Sequence, residues 1–277
     1  MNILPDFKYP KNSFLSVIIE RLLNGGSPLQ NLFSKAKLTS DIKNVVYLNW
    51  MVPYEKVEHL IPEGLHVEVY DRKVLLTILN YNHGNFRPKS LDPIKFIFGS
   101  PNQSNWRLYL KSEYRENKTS DVLFLTNVLS SFFYTFGSRF FSQILKAHWP
   151  KYFHHKKNGI HYHTKIHGER SNAPHLEVNL AEKENWQIPE AFYGISKDVN
   201  TLLKTICYQD AAFTKVDNQV LAEAKIRLDF DLETIKPLVL NSIKSETLQD
   251  LIQDSICFAF VIPKLKFYSL GEKLLKT

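Results

Sequence analysis

Apolar and polar positions divide the chain into an opening segment and a strand-rich body. In SFLSVIIERLL, residues 13–23, Phe14, Val17, Ile18 and Leu22 recur at helical spacing while Glu20 turns away, which predicts a short amphipathic helix. Gly25-Gly26-Ser27-Pro28 breaks it, so residues 1–40 are expected to form a helical appendage packed on a domain of residues 41–277. The helix is short and weakly basic, which favours docking on its own protein over a membrane surface.

From Lys43 the pattern turns to strands. NVVYLNWMV is β-branched and aromatic, YEKVEHLIPEGL predicts a short helix, and HVEVYDRKVLLTILNY predicts a hairpin turning at Asp71-Arg72-Lys73. A second hairpin is expected in NWRLYLKSEYRENKTSDVLFLTNV, with its turn at Arg115 to Ser120. Within it Asn105, Arg107, Tyr109 and Lys111 share one face, opposite Trp106, Leu108 and Leu110. SSFFYTFGSRFFSQILKAH is apolar on most sides and predicts one largely buried helix.

HWPKYFHHKKNGIHYHTKIHGERSNAPH, from His148 to His175, holds seven of the ten histidines. Counting by twos places His161, His163, Lys165 and His167 on one face and Ile160, Tyr162, Thr164 and Ile166 on the other. Past Ser171-Asn172-Ala173-Pro174, a partner strand sets His175, Glu177 and Asn179 against Leu176, Val178 and Leu180. The expectation is a hairpin with one apolar face and one wet face. Farther on, SKDVNTLLKTI and LVLNSIKSETLQDLIQDS read as helical, and QVLAEAKIRLDFDL and ICFAFVIP as extended. So many strands point to an α+β domain built on an antiparallel, barrel-like β-sheet with packed helices.

Composition narrows the function classes. A chain of 277 residues that is 44% hydrophobic can bury a substantial core, and its net charge of +7 is dispersed rather than gathered into a patch. Cys207 and Cys257 have no C-x-x-C spacing, and MNILPDFKYPKNSF is too charged for a signal peptide, which predicts a cytoplasmic protein without a membrane partner. His161-x-His163 near His167 or His175 has a spacing that zinc accepts, but a wet strand face produces the same text and nearby lysines oppose a dication; no metal or cofactor is expected. Tyr162 falls on the apolar face, where it is unable to stack on bases, so no nucleic-acid partner is expected. No G-x-S-x-G, glycine-rich phosphate loop or H-E-x-x-H occurs.

Several motifs, in order, carry a family resemblance. They are Asn49, Trp50, Val52 and Pro53, then LIPEGL at Leu60 to Leu65, SNWRLYL at Ser104 to Leu110, FGSR at Phe136 to Arg139, and Pro150. On these the chain resembles a large bacterial family labelled as a domain of unknown function and grouped with the acetoacetate decarboxylase-like superfamily. The likeness covers most of residues 43–160, with a looser match through YQDAAF and ICFAFVIPK. It implies a β-barrel enclosing a pocket. In acetoacetate decarboxylase a lysine following a proline forms a Schiff base with the keto acid, its amine kept neutral by desolvation and a second cation.

Here the corresponding text is Pro150-Lys151, which makes Lys151 the candidate catalytic residue. Three departures accompany it: Tyr152 replaces the second lysine, the span from Arg139 to Pro150 is longer than in the decarboxylase, and Gln103 stands where an acidic residue is expected. The leading expectation is therefore a pocket that binds a small, anionic organic ligand, with Arg107, Tyr109, Asn105, His161 and His163 as candidate binding residues. The alternative is a lysine-dependent lyase or hydrolase acting on a keto acid.

Overall fold

Strand β1 (Leu38–Pro53) pairs along one edge with β3 (Lys73–Asn82) and along the other with the final strand β14 (Phe258–Lys276), closing a sheet into a ring. The computed structural model describes residues 37–111, 121–169, 172–216 and 219–276. From β3 the ring continues through β5 (Asn102–Leu110), β6 (Asp121–Leu129), β11 (Ala211–Lys215) and β12 (Val220–Asp229) to β14, seven strands in all. Neighbours in the ring are antiparallel except β6 and β11, which run parallel, so the barrel is mixed where the sequence suggested an antiparallel one. Short strands β2 (Val69–Tyr70), β4 (Arg87–Pro88) and β7 (Ala147–His148) add to β3, β1 and β6. The turn from β2 to β3 is the expected one, with Asp71 and Arg72 both at positive φ, as tight hairpins require.

A second layer grows from the first half of β14. Strand β13 (Lys236–Lys244) pairs with it, followed by β10 (Leu176–Glu182), β9 (His161–His167) and β8 (Tyr152–Asn158). This sheet folds back over the outside of the barrel. Its apolar face, including Phe153, Tyr162, Ile166, Leu176 and Val178, packs on the outward residues of the ring, among them Leu48, Trp50, Leu76 and Trp106. Each buried Val, Leu or Ile there contributes roughly 1.5–3 kcal/mol relative to exposure. The edge of β8 is locked by side chains: Asn102 Nδ2 donates to the Phe153 carbonyl at 3.1 Å and Asn82 Nδ2 to the His155 carbonyl at 3.0 Å. Both carbonyls would otherwise present an open edge for pairing.

Three α-helices lie among the described residues: α1 (Phe132–Phe141), α2 (Val199–Cys207) and α3 (Glu246–Ile252). None is long and apolar enough to cross a membrane. Helix α2 starts at Asp198, whose carboxylate accepts from Thr201 N at 2.7 Å, and it buries Leu202, Leu203, Ile206 and Cys207 in the barrel core.

Three expectations are revised by tertiary contacts. SSFFYTFGSRFFSQILKAH is helical only to Phe141, because the half-buried Glu272 carboxylate takes hydrogen bonds from Ser142 Oγ at 2.5 Å and Gln143 N at 2.8 Å and turns the chain away. Nor is that helix wholly buried, since Phe133 is 81% exposed. LVLNSIKSETLQDLIQDS contributes strand β13 up to Lys244 and a helix only from Glu246, because β14 and β10 supply edges that draw its first half into the sheet. β1 begins at Leu38, while the amphipathic stretch 13–23 and the turn Arg115 to Ser120 lie outside the described residues.

Candidate functional site

The interior of the barrel is polar where cores are usually apolar. Along β5, Gln103, Asn105, Arg107 and Tyr109 point inward and Trp106 and Leu108 outward, so the face carrying Arg107 lines the barrel. All four inward residues are buried. Neighbouring strands add Tyr47 and Asn49 from β1, Thr77 from β3 and Asn127 from β6.

Two hydrogen-bonded groups fill this interior. In the first, His83 Nδ1 lies 2.8 Å from Ser40 Oγ and its Nε2 lies 2.7 Å from Gln103 Oε1, an arrangement that places the ring proton on Nε2. Gln103 Nε2 then donates to Asn127 Oδ1 at 3.2 Å, which also accepts from Asn105 Nδ2 at 2.8 Å. Burial holds the His83 pKa down at about 4, so the ring is neutral at pH 7. In the second, Arg107 Nη2 donates to Tyr109 Oη at 3.1 Å and to the Ile206 carbonyl at 3.2 Å, and Tyr109 Oη itself donates to that carbonyl at 2.9 Å. The guanidinium also lies 5.5 Å from the Tyr47 ring and 5.3 Å from the Tyr109 ring, within cation–π range.

Charge sets Arg107 apart. The other buried arginine, Arg87, meets two carboxylates, donating from Nε to Asp92 Oδ1 at 2.6 Å and lying 3.5 Å from Asp41. Arg107 makes no ion pair with a carboxylate among the described residues. Its compensation is the carbonyl end of α2, equivalent to roughly half a charge. Among the described residues its Nε has no hydrogen-bond partner, and neither has the nearby Asn105 Oδ1. Desolvation pushes the Tyr47, Tyr81 and Cys207 pKa values upward, so all three stay neutral around the cation.

A small cavity of about 40 Å³ adjoins this cluster, with Tyr81, His83 and Gln103 as polar walls and Phe86, Phe124 and Phe267 among the apolar ones. Arg107 is not part of its wall but lies close enough for its charge to act on the Tyr81 hydroxyl. The arrangement can hold a few heavy atoms, offer them hydrogen bonds, and present a fixed positive potential from beneath.

The candidate residues are thus only partly brought together. Asn105, Arg107 and Tyr109 share the interior. Lys151, His161 and His163 do not join them, because β8 and β9 belong to the second layer and turn these side chains away from the ring. Lys151 is about half exposed and pairs with Glu169 at 2.7 Å; His161 is exposed, and His163 Nε2 lies 3.7 Å from Glu177. Of the inward residues not named as candidates from the sequence, Asn49 and Thr77 share one signal, each a lone polar residue with apolar neighbours in its strand, which a buried network explains, while Asn127 follows Thr126 and carries no such mark.

The fold is similar to that of several solved proteins. An acetoacetate decarboxylase-like enzyme from Sphingomonas wittichii RW1 matches at a TM-score of 0.56 and 9% identity over 88% of this chain and 94% of that one. Acetoacetate decarboxylase from Legionella pneumophila subsp. pneumophila str. Philadelphia 1 matches at 0.56 and 10% over 86% of each. The enduracididine biosynthesis enzyme MppR, solved in complex with pyruvate, matches at 0.55 and 10% over 86% of this chain and 90% of that one. No curated protein sequence matched the chain. A family profile, DUF2071, described as uncharacterized conserved protein, matches residues 39–198, more than half of the sequence. The chain belongs to the DUF2071 family and has the acetoacetate decarboxylase-like fold.

Proposed function

We propose that the protein binds a small organic anion in the barrel interior. The observation that carries this reading is Arg107: a buried cation held by a helix carbonyl end, the Tyr109 hydroxyl and two tyrosine rings, with no carboxylate partner and no acceptor for its Nε among the described residues. A buried charge without a counter-ion is costly, and a carboxylate in the adjoining cavity would supply the missing opposite charge. Apolar walls from Phe86, Phe124 and Phe267 suit a short carbon chain. Support also comes from MppR, a protein of this fold solved with pyruvate bound and, separately, with HEPES. The Schiff-base alternative needs its amine within that interior, whereas Lys151 pairs with Glu169 at the surface.

Calorimetric titration tests the reading. Small carboxylates such as pyruvate are expected to bind, uncharged analogues of the same shape to bind at least about tenfold more weakly, and Arg107→Met to lose the difference. Equal affinity for charged and neutral analogues, or full affinity in Arg107→Met, overturns it.

A further inference from the structure

A surface feature independent of the interior is the segment Lys89–Ile97, a run of 3₁₀ turns with Pro93 inside and no buried residue. Of its apolar side chains, Phe96 is 77% and Ile97 62% exposed, and Leu91 and Ile94 are also exposed. Helix α1 holds the base of the segment: Tyr134 Oη donates to the carbonyls of Phe86 and Gly99, which bracket it. Isolated exposed apolar residues are ordinary, but four of them between Leu91 and Ile97 mark a contact surface.

The charges around it point to the partner. Lys89, Arg227 and Lys266 all lie over the ring of Tyr268, at 5.6, 4.5 and 5.6 Å from its centroid. Lys95 stands within the segment itself, and with Lys266 it acts on Asp92, whose carboxyl is held down chiefly by its hydrogen bond from Arg87. Four exposed or half-exposed cations therefore flank the apolar group, while Asp92 is already engaged by Arg87. Exposed apolar side chains accompanied by cations fit a bilayer surface bearing anionic headgroups: the cations would meet the phosphates and the Phe and Ile side chains would enter the acyl boundary.

We propose that the protein docks peripherally on anionic phospholipid membranes through the segment Lys89–Ile97. No membrane partner was expected from the sequence, where that expectation rested on the charged opening MNILPDFKYPKNSF and the short, weakly basic stretch 13–23. The segment is anchored at Phe86 and Gly99, and Phe86 also lines the cavity, so docking would hold the barrel with this end toward the lipid.

Sedimentation of the full chain with vesicles tests this, using phosphatidylcholine alone and phosphatidylcholine containing about one-third phosphatidylglycerol. Anionic vesicles are expected to take up the protein at least about tenfold better than neutral ones, with the preference falling steeply as salt rises. Phe96→Ser combined with Ile97→Ser, and separately Lys89→Glu combined with Lys266→Glu, are each expected to cut uptake about tenfold or more at an unchanged melting temperature. Uptake that does not depend on lipid charge, uptake unaffected by these substitutions, or a concentration-dependent dimer abolished by the Phe96 and Ile97 changes would overturn the proposal; the last would make the surface a protein interface.

Discussion

Arg107 Nη2 donates to the carbonyl oxygen of Ile206 across 3.2 Å, joining the inward face of β5 to the last turn of α2. Ile206 O also accepts from Tyr109 Oη and from Gln209 Nε2, so it keeps partners if the arginine is removed. The bond is therefore dispensable for the helix, and the buried charge carries a desolvation cost with no carboxylate to offset it.

The first prediction is a separation of stability from binding. Arg107→Met is expected to leave the unfolding free energy within about 1 kcal/mol of the parent, or to raise it, because an apolar side chain of similar volume replaces an unpaired cation. Urea unfolding without ligand checks this. A loss above roughly 3 kcal/mol would identify Arg107 as a structural tie.

The second concerns acid. Burial pushes both His83 and His155 down to about 4, from an ordinary value of 6.5. Between those values the unfolded chain binds protons that the folded chain does not, so stability is full above about pH 6.5 and declines as pH falls toward 4. Each histidine removes on the order of 2 kcal/mol between pH 7 and pH 5. His155→Gln should flatten the difference in urea midpoint between those two pH values; an unchanged difference refutes the assignment.

A third prediction tests how the second layer is held. Asn102→Ala removes the donor to the Phe153 carbonyl, and a buried carbonyl without a partner costs about 1–3 kcal/mol. Amide exchange should speed up first in β8 and its neighbour β9, with the barrel strands little affected. Uniform acceleration throughout the chain would contradict a local lock.

The fourth addresses the reactive-lysine alternative. Lys151 Nζ, half exposed and 2.7 Å from Glu169, lacks the desolvated setting that keeps a Schiff-base amine neutral. Borohydride with acetoacetate or pyruvate is expected to leave Lys151 unlabelled by mass spectrometry. A reduced adduct on Lys151 that disappears in Lys151→Ala would restore the enzymatic reading.

The two-faced character of β5, β9 and β10 was legible in the sequence because alternation along a strand is a local property: every second side chain points the same way wherever the strand is placed. Motif order likewise carried the family and the fold. What alternation leaves open is what each face meets. The Arg107 face of β5 and the His161 face of β9 look alike as text, yet one lines the barrel and the other meets solvent. That distinction arises when β1 pairs with β14, Leu38 opposite Ser269, and when β13, β10, β9 and β8 fold across the outside of the ring they close. The sequence by itself determined most of the strands and which residues share each of their faces. Only the tertiary structure decided which of those residues share the interior, because inside and outside are set by contacts between segments far apart in the chain.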